Sequence, residues 1–439
     1  MRPVRNPFNG PLWQNSAFVR VWSAATISIF GSLITRMALP FVAILVLDAT
    51  AFEVALVRSI DLLAALLFGL VVGAWVDRLR RRPVMVWADL GRAVLLVTIP
   101  IAAVGGWLTL AQVLVVAFVV AILSTFFDAA DNAYLPSIVQ RDELVRANGA
   151  LAASGSAAEF TAFGISGFLI QLLSAPLAIF LDAVSFIVSA LLLGSIRRKE
   201  PPPPPKADRE PVIQEIREGL AIIAGDPIIR AFTLASMAMA TLWGVFGAIW
   251  ILFAVDELGL GAAPIGIIAG FGGLSSLIGA TFAERVTRRL GVGRAAIASM
   301  LIASVGFALI PLAPASMPIL AFGFLVGQQL IGDGAVTLYD IAETSVRQAR
   351  VHDRALGRVA ATVQVGSVGA QLAAALAAGL LAEVIGLRAV AFLAPLGTLV
   401  AAAILVASPV RRLRDLPTLD GRTPAEVVVD VERDQPVGA

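Results

Sequence analysis

The sequence contains no cysteine and only one histidine, His352, among its 439 residues. The absence of cysteine excludes disulfides, thiol nucleophiles and thiolate metal sites. A single imidazole without a neighbouring cluster does not make a metal site. The chain also lacks the glycine-rich phosphate loop of ATP-driven pumps. We therefore expect no metal, no cofactor and no enzymatic activity.

Charge is also scarce. Only 15% of the residues are charged, 58% are hydrophobic, and the mean hydropathy is +0.88. A helix needs about 20 apolar residues to cross a bilayer, because the hydrocarbon core satisfies no backbone polar group. Twelve runs of this kind predict an all-α polytopic membrane protein. We expect a six-helix bundle over 1–196, a linker over 197–228, a second six-helix bundle over 229–408 and a tail over 409–439.

The two predicted bundles share a sequence pattern, which indicates that they are copies of one another. Asp77 and Glu284 lie 207 positions apart, and each follows an apolar run and precedes a group of arginines. Asp128 and Asp333 are each followed six residues later by one of the two tyrosines in the chain. This spacing predicts a duplicated bundle, with a short acidic-basic loop at matching places in the two halves.

The basic residues predict the orientation. Arg388 falls in an outer connection and Arg36 and Arg58 fall inside spans, whereas the other basic residues are assigned to one side. By the positive-inside rule both termini are then cytoplasmic. The excess of arginine over lysine is typical of a GC-rich bacterial genome, so we expect a bacterial inner-membrane protein. The pI near 9.5 then reflects topology in the lipid bilayer and not a nucleic-acid partner.

The predicted linker contains five consecutive prolines at 201–205. Such a run favours an extended polyproline spacer. The residues at 212–223 that follow have apolar side chains at helical spacing opposite charged ones. They predict a surface helix whose apolar side lies on lipid or on the bundle.

The segment between spans two and three carries the most specific motif of the chain. The pattern begins with a glycine, and after three further residues it has an aspartate and an arginine. One residue later it usually has a second glycine, which is followed by two basic residues. The matching residues are Gly73, Asp77, Arg78, Arg81 and Arg82, while Arg80 replaces the second glycine. With its twelve spans and its duplication, the chain resembles the major facilitator superfamily. The degenerate second copy contributes Glu284 and Arg285.

Further segments are similar to the branch of macrolide-efflux and enterobactin-exporter proteins. They include Phe18–Trp22, Ala38–Pro40, Glu143–Asn148 and Asp182–Phe186. The resemblance implies a monomeric, proton-coupled secondary transporter that exports drugs or an amphipathic metabolite, such as a siderophore, by alternating access. Two alternatives stay open: a lysophospholipid or lipid transporter of the same fold, and a membrane sensor or scaffold that transports nothing.

Asp77 suggests a gating contact. An acid at the end of a span can accept hydrogen bonds from a neighbouring helix N-terminus and pair with an arginine. Contacts of this kind, formed only when one side is closed, bias a two-state motion. The alternative is that the arginines at 78–82 only anchor the loop on the positive side.

Acidic residues inside spans are candidates for proton coupling and substrate binding, because each is costly unless paired or hydrated. Asp128, Asp131 and Asp333 lie on spans four and ten, which line the central cavity in proteins that this sequence resembles. Glu159 lies deeper, in span five, and is the first candidate for coupling. The alternative is a capping or hydrogen-bonding role between helices. Arg36 and Asp61 are expected at one depth on adjacent spans, either as a structural pair or with Arg36 attracting an anionic substrate.

Aromatic and amide side chains complete the predicted cavity. Trp243, Phe246 and Trp250 share one face of span seven, which suits either an amphipathic ligand or simple helix packing. Neutral hydrogen-bonding groups are added by Gln328, Gln329 and Gln364. This mixture favours a neutral or cationic lipophilic small molecule as substrate.

Overall fold

The computed structural model describes residues 11–76, 79–140, 143–197, 200 and 212–415. Among these residues it contains helices and no strand. The first half is built of α1 (Pro11–Gln14), α2 (Ser16–Leu47), α3 (Ala51–Val76), α4 (Arg81–Gly105), α5 (Leu110–Ile138), α6 (Leu144–Leu173) and α7 (Ala175–Gly194). The second half is built of α8 (Val212–Gly225), α9 (Pro227–Leu252), α10 (Ala262–Leu290), α11 (Val292–Leu312), α12 (Pro318–Arg350), α13 (Asp353–Ile385), α14 (Leu387–Ala391) and α15 (Ala394–Ala407).

Local sequence signals set several helix boundaries. The Asn15 side chain accepts hydrogen bonds from the first free amides of α2, and Thr109 does the same for α5. At the start of α9, Asp226 accepts from Ile228 N and Ile229 N. Short polar side chains satisfy amides that have no partner within the helix. These caps separate long apolar segments into discrete spans.

Eleven helices or helical stretches within the described ranges are long and apolar enough to cross a membrane. The remaining predicted span corresponds to α3, which is 26 residues long. The all-α membrane architecture predicted from the sequence is therefore confirmed.

The predicted loop at Glu284 and Arg285 is wrong, because α10 continues as a helix to Leu290. No glycine or proline interrupts the chain from Thr281 to Leu290, so the helix extends beyond its apolar part.

The chain divides into two compact units. The first comprises Met1–Asp208 with Ala254–Gly270, and the second comprises Arg209–Phe253 with Phe271–Ala439. In the first unit, α2 packs on α6 and α7, and α4 packs on α5 and α7. In the second unit, α9 packs on α13 and α15, and α11 packs on α12 and α15. Helices at corresponding positions of the two units pack in the same pairs, which confirms the duplication.

Helix α8 covers the segment for which a surface helix is predicted. Ile222 and Ile223 pack against Val351, Val359 and Val363 in a small apolar cluster of the second unit. Its polar side is tied by an ion pair between Glu218 and Arg358. The apolar side of α8 therefore lies on the bundle.

Candidate functional site

A cavity of about 450 Å³ lies within the first unit, between α2, α3, α4, α5 and α7. Its wall combines apolar side chains, such as Leu39 and Phe186, with small hydroxyl groups. The ionisable side chains on the wall are four carboxyl groups and two guanidinium groups: Asp61, Asp128, Asp131, Asp182, Arg36 and Arg92. The cavity is therefore apolar in most of its wall and acidic in its charge.

Arg92 forms the centre of a buried charge cluster. The side chain is 3% exposed and forms an ion pair with Asp89, three residues earlier on α4, which is 0% exposed. Its guanidinium group also donates to Ser124 Oγ at 3.2 Å. The guanidinium carbon lies 4.0 Å from the Phe186 ring centroid and 4.5 Å from that of Phe127. Such cation–π contacts compensate part of the lost hydration of the guanidinium.

Asp182 is a second buried carboxyl group beside the cavity, and it is 1% exposed. Its two oxygens accept hydrogen bonds from different hydroxyl groups. Thr35 on α2 donates to Oδ2 at 2.5 Å, and Ser185 on α7 donates to Oδ1 at 3.0 Å. In the part of the chain that the structure describes, no basic side chain forms an ion pair with Asp182.

Gly31 creates the space for this carboxyl group. A Cβ atom at position 31 would overlap Ser185 Oγ and Asp182 Oδ1. Because glycine lacks that atom, α2 approaches α7 closely enough for Thr35 to reach Asp182. The sequence thus positions the carboxyl group through a close helix contact.

The predicted acidic residues separate into two groups. Asp128 and Asp131 line the cavity, and the Oδ1 atom of Asp131 is buried without a hydrogen-bond partner among the described residues. Glu159 is exposed on α6 and is not part of the cavity wall. The structure therefore places Asp128 and Asp131 on the cavity wall and leaves Glu159 outside it.

Arg36 and Asp61 both lie on the cavity wall, as residues on adjacent spans at one depth should. The Arg58 guanidinium donates to the main-chain oxygen of Arg36 at 3.1 Å. This contact links α3 to α2 beside the cavity.

In the second unit, Gln328 and Gln329 are buried on α12. A Cβ atom at Gly272 would overlap the Gln329 amide and the Asp333 carboxyl group, so both groups lie against the α10 backbone. Both polar atoms of Gln328 are buried without a hydrogen-bond partner in the described ranges. Gln364 is exposed on α13. Two of the three predicted amides are therefore buried within the second unit, and the third is exposed.

The aromatic face of α9 packs within the second unit. Phe307 of α11 lies 5.8 Å from Trp243 and 5.5 Å from Phe246, measured between ring centroids. Phe246 and Trp250 are 5.3 Å apart. These distances are typical of aromatic packing in protein cores. The packing interpretation accounts for the contacts of this face.

The motif between α3 and α4 is tied to the end of α7. The Glu200 carboxylate accepts hydrogen bonds from Arg81 N at 2.7 Å and Arg82 N at 3.2 Å, and it pairs with the Arg81 guanidinium. Arg82 Nε donates to Leu193 O at 2.9 Å. Arg80 has φ −72° and ψ 126°, which is ordinary extended backbone, so this position does not require glycine. Asp77 and Arg78 lie outside the described residues.

The second copy of the motif has weaker contacts. Glu284 and Arg288 form an ion pair at 3.7 Å on the surface of α10, where both side chains are more than two-thirds exposed. Arg285 lies over the Phe282 ring at 5.5 Å. Exposed pairs of this kind contribute little to stability.

The two tyrosines occupy equivalent buried positions. Tyr134 is 1% exposed and Tyr339 is 0% exposed. The Tyr339 hydroxyl lies 3.1 Å from Ser236 Oγ and donates to Phe232 O at 3.3 Å, which ties α12 to α9. Their equal spacing from Asp128 and Asp333 thus marks a structural position of the repeat.

The sequence pattern does not single out Asp89 and Arg92, and the orientation prediction counts Arg92 among the basic residues on one side of the membrane. That assignment is wrong, because Arg92 lies within α4 and is buried. An acid and a base three residues apart inside an apolar run indicate an intrahelical pair, and this signal could have identified them. From the sequence, Asp182 belongs only to a segment that is similar to the efflux branch. Within the described ranges, no group of three or more acidic or histidine side chains is arranged to hold a metal ion.

Residues 21–351 match the family model of the Major Facilitator Superfamily. The chain belongs to this superfamily. It is 22% identical over 239 residues to macrolide efflux protein A of Streptococcus pyogenes, covering 54% of this chain and 59% of that protein. It is 25% identical over 288 residues to the uncharacterized MFS-type transporter YkuC of Bacillus subtilis (strain 168), covering 63% and 66%. The chain thus spans less than two-thirds of the length of these relatives.

Solved structures share the fold. A bacterial homologue of the iron transporter ferroportin in an inward-facing state matches with a TM-score of 0.73 at 17% identity, covering 91% of this chain and 99% of that one. The nucleoside transporter NupG matches with a TM-score of 0.72 at 14% identity, covering 89% and 98%. The superfamily and its fold are those of membrane transporters rather than of enzymes.

Proposed function

We propose that this protein is a secondary active exporter of a bacterial inner membrane, with both termini in the cytoplasm. It couples the exit of an amphipathic, cationic small molecule to the entry of protons by alternating access. The observation that carries this proposal is the cavity of the first unit, with four carboxyl groups and two guanidinium groups on a largely apolar wall.

Size and chemistry favour this substrate class. A cavity of about 450 Å³ falls in the range of small-molecule pockets, which are mostly apolar with a few placed polar groups. The excess of carboxyl groups favours a positive charge on the ligand. One relative is named macrolide efflux protein A. Many macrolides combine a large apolar ring with a basic amine. We assign the binding of the cationic end to Asp128 and Asp131, with Asp333 as the corresponding acid of the second unit.

Transport in liposomes tests the proposal. The full chain is reconstituted with an imposed pH gradient, and the movement of erythromycin, a basic macrolide, and ethidium, a lipophilic cation, is followed. We expect uphill movement that stops when a protonophore collapses the gradient. Asp128→Asn should weaken binding of ethidium more than binding of an uncharged macrolactone. Asp256→Asn, an exposed carboxyl group near the end of α9, is the matched control. Movement that ignores the gradient would contradict proton coupling.

A further inference from the structure

The cluster on α4 and α7 contains one cation and two acids in an apolar interior. Arg92 is neutralised by its ion pair with Asp89. Asp182 is equally buried, yet only the hydroxyl groups of Thr35 and Ser185 contact its carboxyl oxygens in the described chain. A buried carboxylate is costly unless a cation accompanies it. The structure therefore holds one more acid than its buried cation can balance.

Arg92 lies where its guanidinium group can pair with either Asp89 or Asp182. Its guanidinium group lies over the ring of Phe186, which is one helical turn from Asp182 on α7. Its Nε atom is buried and has no hydrogen-bond partner among the residues that the structure describes. A donor without a partner costs free energy, so the guanidinium group gains a hydrogen bond for this atom if it turns toward an acceptor on α7.

The cluster borders the cavity, which is the side from which water can approach it. Arg92, Asp182 and Thr35 are all part of the cavity wall. The other charged groups on that wall are Asp128 and Asp131 from α5, Arg36 from α2 and Asp61 from α3. Helix α6 also packs on α7, but its Glu159 is exposed and lies outside the wall.

We propose that Asp182 is the carboxyl group that carries the coupled proton, and that Arg92 alternates between Asp89 and Asp182. This inference rests on the proposed proton-coupled export. A hydronium ion in the cavity transfers a proton to Asp182: one O–H bond of the hydronium ion breaks and leaves water, an O–H bond forms on the carboxylate, and Arg92 pairs with Asp89. When that O–H bond breaks and the proton leaves to water on the opposite side, the Asp182 carboxylate attracts the guanidinium group. Arg92 is thus a positioning residue, and Asp182 takes the role that the sequence suggested for Glu159.

Two assays on the purified full chain test this assignment. Infrared difference spectroscopy over a pH series detects the carbonyl band of protonated carboxyl groups without any substrate. We expect a titrating band in the unmodified protein and in Glu159→Gln, and its loss in Asp182→Asn. In liposomes, Asp182→Asn should lose uphill accumulation of ethidium driven by a pH gradient. It should retain exchange of ethidium between equal concentrations, which shows that the variant is folded.

The outcomes separate this inference from the proposed function. Retention of both the band and uphill accumulation by Asp182→Asn would overturn the role of Asp182. Loss of accumulation in Glu159→Gln together with retention in Asp182→Asn would return the role to Glu159. If the unmodified protein moves ethidium without regard to pH but still shows an Asp182-dependent band, the proposed coupling fails while the proton site stands. If Asp182→Asn does not fold, Thr35→Val replaces it, and an unchanged pH dependence of its band would count against the assignment.

Discussion

The two units use the same helix pairing but place charge differently. In the first unit, α4 carries Asp89 and Arg92 and α7 carries Asp182, all buried where the two helices pack. In the second unit, the corresponding helices α11 and α15 carry no ionisable residue after Arg294. A buried hydrogen bond from Ser304 Oγ to Pro395 O at 3.2 Å links them instead.

This difference shows that packing alone does not require the charges. Since the second unit holds the same pair of helices together with small and apolar side chains, the cluster in the first unit is not needed for the architecture. Buried ions lower stability unless every partner is present. Their presence in one copy of a duplicated bundle is therefore best explained by function.

Two ion pairs of the second unit lie toward helix ends. Asp226 caps α9 and pairs with Arg350 at the end of α12. Glu343 and Arg347 form an ion pair at 3.1 Å along the last part of α12. The first pair links α9 to α12, and the second lies within α12, so both stabilise helices near their ends.

Removal of the buried cation should have the largest effect. Arg92→Met leaves Asp89 buried without its partner, and breaking a buried pair costs about 3–5 kcal/mol. Thermal unfolding of the purified variant measures this loss. Arg347→Met, which breaks the less deeply buried pair of the second unit (19% and 9% exposed), is the matched comparison and should cost less. The double variant Asp89→Leu with Arg92→Met should regain part of the stability; equal losses for both single variants would remove the distinction between the units.

Gly31→Ala should rank next. The added Cβ overlaps Asp182 and Ser185, and overpacking of this kind costs about 1–3 kcal/mol. Gly397→Ala overlaps Ala238 O and Thr241 Oγ1 on the facing helix of the second unit, so a similar loss of stability is expected. Only Gly31→Ala should also impair uphill ethidium transport. Gly69→Ala, where no atom lies within 4 Å of the new Cβ, serves as the neutral control.

The two motif copies should differ in transport rather than in stability. We expect Asp77→Asn to slow transport at equal expression, because a charge at a moving rim biases a conformational equilibrium. Glu284→Gln removes one partner of an exposed ion pair and should change stability by about 0.5 kcal/mol or less. Initial transport rates and unfolding temperatures of both variants provide the comparison. A normal rate for Asp77→Asn would show that the first copy only anchors the loop.

The helix caps should give the smallest contrast. Glu200→Ala removes the acceptor for Arg81 N and Arg82 N in the first unit. Asp226→Ala does the same at α9. Loss of a cap costs about 0.5–2 kcal/mol, so similar decreases in unfolding temperature are expected for both. A much larger loss for Glu200→Ala would indicate that the end of α7 fixes the motif beyond simple capping.

Periodicity and spacing predict the membrane helices and the duplication well, because bilayer length and backbone hydrogen bonding constrain them strongly. The equal offsets of Tyr134 and Tyr339 are an example. The site is less predictable. Asp182 meets Thr35 and Gly31 across 147 or more residues of sequence, and no local pattern reports such a contact. Depth along a span favours Glu159 as a coupling residue, but depth does not specify which face of a helix lines a cavity.

The central claim is that the first unit carries the coupled proton, and proton movement in liposomes tests it most directly. A pH-sensitive dye is trapped inside vesicles that contain the full chain, and an ethidium gradient is imposed without a pH gradient. The account predicts that ethidium drives protons across the membrane with the unmodified protein and with Asp333→Asn, and that Asp182→Asn abolishes this movement. Normal proton movement by Asp182→Asn, together with its loss in Asp333→Asn, would place coupling in the second unit and contradict the account.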